Sequence, residues 1–180
     1  MKEKKINSKE IFSCSFMTLY EDDVLLDNGN ETKRVYLKHP GAAAILPITI
    51  DGKLILTRQF RYPIHAVSLE IPAGKKDFMN EDPMSCAIRE LEEETGYITN
   101  EITHLFTIYP CLGYSDEIID IYLAINCIKK DNPRPQDEDE NVVIELYSKE
   151  DAYHLLNQKM IRDGKTIIAL QHYLLSKKDL

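Results

Sequence analysis

No C-x-x-C pair, internal repeat, long Gly/Ser linker or excess of positive charge occurs in this chain. Each absence removes a class of function. Cys14, Cys86, Cys111 and Cys127 lie far apart, so neither a zinc site nor a redox dithiol is suggested, and they read as reduced, mostly packed thiols. The formal charge of −8 argues against a sequence-independent grip on DNA or RNA, which needs a basic face. No nucleic-acid partner is therefore expected. No stretch approaches the roughly 18 apolar residues of a membrane span. The basic start "MKEKKINSKE" is followed by no apolar run of the kind a signal peptide needs. The expectation is a cytoplasmic protein with no membrane partner. Small anionic substrates stay open where metal ions can stand between them and the protein.

What is present suits one folded domain of ordinary soluble globular composition: 180 residues, 43% hydrophobic and 29% charged, enough to bury a sizeable core. Residues 11–38 read as strands joined by the polar turn "DNGN", with "RVYLK" alternating as a strand does. "AAAILPITI" and "KLILTRQF" flank Asp51-Gly52, a strong hairpin signal. "EIIDIYLAINC" and "NVVIELY" read as further strands, and two helices are expected at about 149–158 and 165–177, the first capped by Ser148. "KKDNPRPQDEDE" is the one low-complexity stretch; its prolines stop regular structure and its acids keep it in water. Strands, a mid-chain helix, more strands and terminal helices imply a mixed α/β (α+β) layered domain.

The mid-chain helix carries the anomaly. Asp82-Pro83 is a good helix start and Gly96 a good stop. Between them Met84, Ala87, Ile88 and Leu91 follow the spacing of a buried stripe. The segment "RELEEETGY" then places Glu90 and Glu94 at one edge of that stripe, Glu93 just beyond and Glu92 on the opposite side. Glu90 and Glu94 form a like-charge i, i+4 pair that costs a few tenths of a kcal/mol. Near the negative end of the helix dipole each anion loses roughly another 0.3–1 kcal/mol. A solvated charged face is the ordinary reading of acids on a helix. Here they border the apolar stripe and follow the tight "IPAG" turn, and a bound divalent cation removes both penalties. Carboxylates with a backbone carbonyl are the hard oxygen ligands that Mg²⁺ or Mn²⁺ prefers.

The stretch "GKKDFMNEDPMSCAIRELEEETGY" resembles the signature of the Nudix hydrolases, G-x5-E-x7-R-E-U-x-E-E-x-G-U, where U is bulky and apolar. Glu81, Arg89, Glu90, Leu91, Glu93, Glu94 and Gly96 match in spacing. Gly74 and Glu81 are separated by six residues instead of five, and Tyr97 stands where an aliphatic residue is usual. The longer loop leaves the mutual spacing of the helical acids unchanged and bears on the Ala73 carbonyl and on Glu81. Beyond the signature, "RQFR", "EIPAGK", "PCLGYS", "DEDENVVIELYSKEDAY" and "GKTIIALQHYL" are similar to the ADP-ribose pyrophosphatase branch, over about residues 34–175.

That resemblance implies an α/β/α sandwich with a mixed sheet between helices. It implies metal-dependent hydrolysis of ADP-ribose to AMP and ribose 5-phosphate, with Mg²⁺ or Mn²⁺ as cofactor. By matching position, Glu90, Glu94 and the Ala73 carbonyl hold metal. Glu93 is an occasional ligand or an acceptor behind the ligands, and Arg89 orients the acids by ion pairing. Glu138 is the catalytic base and Glu140 a further ligand, with the reverse assignment or Asp139 as alternatives. Arg58 and Arg61 are candidates for the diphosphate, Glu70 for substrate hydroxyl or amine groups, and Gly113 and Ser115 for close backbone approach to phosphate or ribose. Tyr114 and Phe60 are candidates to stack on a base. Residues 1–38 form an N-terminal strand region expected to build a homodimer, and 39–180 the hydrolase domain. Two alternatives remain: the same chemistry on GDP-mannose or ADP-glucose, and a non-catalytic nucleotide-sugar sensor.

Overall fold

A computed structural model of the chain describes residues 2–136 and 141–176. The first three strands, β1 (Glu3–Ser13), β2 (Thr18–Leu26) and β3 (Glu31–Lys38), form an antiparallel sheet of their own. Strand structure therefore starts well before residue 11. All eleven residues of β1 are exposed, so they lack the half-buried alternation that marks a strand in sequence.

A second, mixed sheet is built around β4 (Ala42–Thr49) and β10 (Ile119–Lys129), which run parallel with Ala42 opposite Ile119. The remaining partners, β5 (Leu54–Arg61), β6 (Ala66–Glu70), β7 (Ala73–Lys75), β8 (Tyr97–Ile98), β9 (Glu101–Ile108) and β11 (Val143–Tyr147), pair antiparallel around them. The Asp51-Gly52 hairpin forms as the sequence suggests: Gly52 takes φ +79° and its N–H donates to Thr49 O at 2.9 Å.

Helices cover both faces of this sheet. Alternation along β4 divides the core in two. Ala43 and Ile45 pack with Cys86, Ala87 and Leu91 of α1 (Pro83–Thr95). Ala44, Leu46 and Ile48 pack with Ala152 of α2 (Lys149–Asn157) and Ala169, Leu170 and Tyr173 of α3 (Gly164–Leu175). Every residue of β4 is buried, as a strand sandwiched between helices must be. Ser148 caps α2 in a full capping box with Asp151. Of the cysteines, Cys86 and Cys127 are buried, Cys111 is half-buried and Cys14 exposed, all with free thiols. Three of the four are thus at least partly covered, and Cys14, between β1 and β2, is the exposed one.

One buried bond registers the far helix layer against the strand that leads into the acidic region. Thr166, fully buried at the start of α3, accepts the Ile71 N–H at 2.8 Å. Thr166→Val keeps the shape but leaves that N–H buried without an acceptor. The expected cost is about 1–3 kcal/mol of unfolding free energy, to be read as a lowered urea midpoint at unchanged m-value.

Candidate functional site

Helix α1 starts and stops where its sequence dictates. The Asp82 side chain accepts the Ser85 N–H, Pro83 occupies the first turn, and Gly96 closes the helix at φ +71° with its N–H on Glu92 O. Its buried face differs from the expected stripe. Met84 and Ile88 are 39% and 40% exposed, whereas Cys86, Glu90 and Glu94 are buried with Ala87 and Leu91. The helix is rolled about its axis so that its acidic flank faces the protein. The physical reason lies across the interface: β7 presents glycine at position 74, and a Cβ there would stand 1.9 Å from Glu90 Oε1. The Glu90 carboxylate fills the space a side chain would take.

Burying carboxylates demands compensation, and Arg89 supplies much of it. One guanidinium nitrogen donates to Glu90 Oε1 at 2.6 Å and to Glu93 Oε2 at 2.9 Å, and the other donates to the Lys75 carbonyl at 3.1 Å. Its Nε lies 3.5 Å from Glu81 Oε1 and 3.6 Å from Asp77 Oδ2. Burial opposes the Arg89 charge, but the Glu90, Glu93 and Glu81 carboxylates outweigh it and raise its pKa further. Glu94 Oε2 accepts the Ala73 N–H at 3.2 Å, so β7 and α1 are tied at both acids.

A second cluster adjoins the first. Arg61 Nε and Nη2 make a bidentate pair with Glu70 at 2.9 and 2.8 Å, and Lys165 Nζ reaches Glu70 Oε2 and, at 3.1 Å, Asp163. Bonding to Glu70 raises the Arg61 pKa against burial, and the Glu94 charge adds to it, which links this cluster to the acidic helix. Burial alone would push the Glu70 carboxyl up, but Arg61 and Lys165 outweigh it and hold it at about 2, against its ordinary 4.5. A depressed folded-state pKa gives stability that is complete above 4.5 and lost as pH falls toward 2. Glu70→Gln should therefore flatten the fall of the urea midpoint in that window relative to the unaltered chain.

The structure thus brings together Ala73, Glu90, Glu93, Glu94, Arg89, Arg61 and Glu70. Other described candidates have different partners. Arg58 turns to Glu145 of β11, bidentate at 2.8 and 2.9 Å. Gly113 and Ser115 lie on the β9–β10 connection, which is tied to β3 by Leu37 N–H donating to Tyr114 O at 2.7 Å; neither contacts the acids by a hydrogen bond among the described residues. Phe60 and Tyr114 are exposed. Glu138 and Glu140, with Asp139, lie outside the described residues. The sequence assigns no role to Lys165, whose partner Glu70 is 95 positions away, or to Glu92. Nothing local signals either.

Beside β7 a cleft of about 340 Å³ is lined by Phe16, Met17, Lys38, His39, Lys75, Lys76 and Phe78, among others. The Lys75 ammonium lies 5.8 Å from the Phe16 ring centre. Asp77 borders the cleft, but its carboxylate also reaches toward Arg89. The cleft joins cationic groups to aromatic surface next to the buried acids.

Carboxylates and a nearby strand carbonyl are a hard, all-oxygen donor set, suited to a dication of the magnesium type and unsuited to soft metals. Among the described residues no three Asp, Glu, His or Cys side chains stand together in metal-holding geometry; Glu90 and Glu94 furnish two donors, and the donor chemistry fits. Gly74→Ala would drive the Glu90 carboxylate off its seat. The expected result is a Mn²⁺ affinity lowered about 10–100-fold by isothermal titration, with the far-UV spectrum retained.

Comparison with known proteins agrees with this geometry. The family pattern described as NUDIX domain matches residues 37–170. The ADP-ribose pyrophosphatase of Bacillus subtilis is 41% identical over 177 residues, covering 98% of this chain and 95% of that protein. The methanol dehydrogenase activator of Bacillus methanolicus is 41% identical over 175 residues, covering 97% and 94%. A GDP-mannose pyrophosphatase of Pectobacterium atrosepticum is 34% identical over 184 residues, covering 96% and 92%. Among solved structures, an ADP compounds hydrolase superposes with a TM-score of 0.82 at 23% identity, covering 100% of this chain and 98% of that one, which shows a shared fold. With Glu90 of the signature helix seated on Gly74 of β7 and the pattern matched over residues 37–170, the chain belongs to the NUDIX family.

Proposed function

We propose that this Nudix pyrophosphohydrolase cleaves the pyrophosphate bond of ADP-ribose, releasing AMP and ribose 5-phosphate. One observation carries the reading most: Glu90 and Glu94 are buried side by side with β7 at Gly74 and Ala73, and the Arg61–Glu70 pair stands next to them. The name of the Bacillus subtilis relative supplies the substrate.

Nudix hydrolases generally need a divalent metal, typically Mg²⁺. In this chain Glu90, Glu94, the Ala73 carbonyl and Glu140 would hold Mg²⁺ or Mn²⁺. Bound there, the ion would offset the diphosphate's charge as a Lewis acid. Arg89 holds Glu90 and Glu93 in place by its two short ion pairs. Glu138 takes the proton of the attacking water, acting as general base. Arg61 can turn part of its guanidinium fork from Glu70 to the phosphate oxygens, since Lys165 keeps Glu70 paired. The cleft of Phe16, His39, Lys75 and Lys76 suits a flat base and its phosphate. Arg58 would have to leave Glu145 to reach the diphosphate, and Gly113 and Ser115 would let backbone approach phosphate or ribose. The exposed face of β1, with Ile6, Ile11 and Phe12 each about half exposed, supports residues 1–38 as the pairing surface of a homodimer.

The GDP-mannose pyrophosphatases among the relatives favour one second reading, the same hydrolysis on another nucleotide sugar. Product analysis on ADP-ribose, ADP-glucose and GDP-mannose with Mg²⁺ separates the two. ADP-ribose is expected to give the highest kcat/KM, and a preference of about tenfold or more for GDP-mannose would overturn the assignment. Glu94→Gln, run alongside, is expected to lose roughly 10³-fold in kcat with the fold intact.

A further inference from the structure

Four carboxylates crowd residues 90 to 94, and the reaction as proposed uses only three. Glu92 faces away from Glu90 and Glu94, yet it is only 7% exposed. A surface glutamate would have no reason to be covered. What covers it is the chain that follows β10. Lys130 Nζ donates to Glu92 Oε1 at 2.8 Å, the Arg134 backbone N–H donates to the same oxygen at 2.9 Å, and the Arg134 Nε lies 3.9 Å from Oε2.

The attachment extends along the end of the helix. Lys130 N–H donates to Gly96 O at 2.9 Å, and Pro133 packs over Gly96 at 3.5–3.6 Å from where its Cβ would be. Arg134 Nη1 lies 3.5 Å from Glu93 Oε1. Gln136 completes it. Its amide nitrogen donates to the Glu94 carbonyl at 3.4 Å and to Val142 O at 3.2 Å, and its amide oxygen accepts the Val142 N–H at 3.4 Å. Residues 130–136 are strapped across the last turn of α1, and one side chain bridges them to the returning strand. These bonds hold Gln136 and Val142, on either side of segment 137–140.

We infer that Glu92 and Gln136 are positioning residues for hydrolysis: Glu92 holds Lys130 and Arg134 ahead of segment 137–140, and Gln136 joins the Glu94 carbonyl to Val142 beyond it. The inference rests on the reading that this segment supplies the base. Glu92 touches no substrate. It acts through the strap, as a support whose loss shifts a catalytic group by a fraction of its reach. The position in the family signature is the unrestricted one between two fixed residues, so this use of it belongs to this chain's own Lys130 and Arg134.

A double-mutant cycle tests it. Glu92→Ala is expected to lower kcat about 10–100-fold while KM for ADP-ribose changes by less than about twofold. Placed on a Glu138→Gln background, it is expected to cost less than about a further twofold, because no base remains to misplace. Glu92→Gln, which keeps an acceptor for the Arg134 N–H, should lose less than Glu92→Ala. Lys130→Met removes one hold from outside the helix and should show a smaller loss with the same background dependence. Urea midpoints separate positioning from unfolding. The inference is overturned if Glu92→Ala costs the same factor in both backgrounds, or if its loss of activity disappears once the unfolded fraction is subtracted. Should Glu138→Gln alone turn over normally, the base assignment is what fails. The same criterion is then applied on Asp139→Asn and Glu140→Gln backgrounds, and equal factors on both would sink the strap as well.

Discussion

The Glu90 carboxylate rests against a glycine, and most of the site depends on that contact. A buried carboxylate is stable only where it is paired and where space exists for it. Gly74 provides the space, since any side chain there would collide with Glu90. Arg89 provides the pairing and spans Glu90, Glu93 and the Lys75 carbonyl at once. Helix α1 and strand β7 therefore hold each other in a fixed rotation, and the acidic flank turns inward instead of toward water. Glu90 and Glu94 are like charges one helical turn apart on that flank.

Around this contact the charges are arranged in two tiers. On the inner flank, Glu90 and Glu94 face β7, and the Arg61–Glu70–Lys165 cluster adjoins them from β5, β6 and α3. On the outer flank, Glu92 grips the chain that leaves β10. One two-turn stretch of helix thus buries acids against β7 on one side and holds the chain after β10 on the other. Net charge is a poor guide here: the acids are mostly committed to named cations, and the adjacent cleft is lined by Lys38, Lys75 and Lys76.

The relatives divide along the same line. Proteins named for ADP-ribose and for GDP-mannose both align over nearly the whole chain, as expected if the buried acids serve a shared pyrophosphate chemistry. Discrimination between sugars and bases then falls to the surrounding surfaces, where one or two polar contacts can decide substrate preference. Among the described residues, the basic, aromatic cleft beside β7 and the pocket lined by Glu70, Asp163 and Lys165 are two concave surfaces near these acids.

What the sequence determined by itself is what acts over a few residues. The Asp82 cap, the Gly96 stop, the Asp51-Gly52 hairpin and the Ser148 capping box form as their residue types require. The spacing that puts Glu90 and Glu94 on one flank follows from helical periodicity alone. Periodicity did not determine which flank is buried: Met84 and Ile88 look like core and are exposed, because the small residues of β4 and β7 accept the other side of the helix. Nor could β1 be recognised, since an exposed strand carries no alternation to read. Only the tertiary structure decided that Glu70 meets Lys165 across 95 positions and that Glu92 meets Lys130 across 38. An ion pair is chosen by where the chain path delivers opposite charges within a few ångströms, and no rule acting within a turn or a hairpin specifies that path.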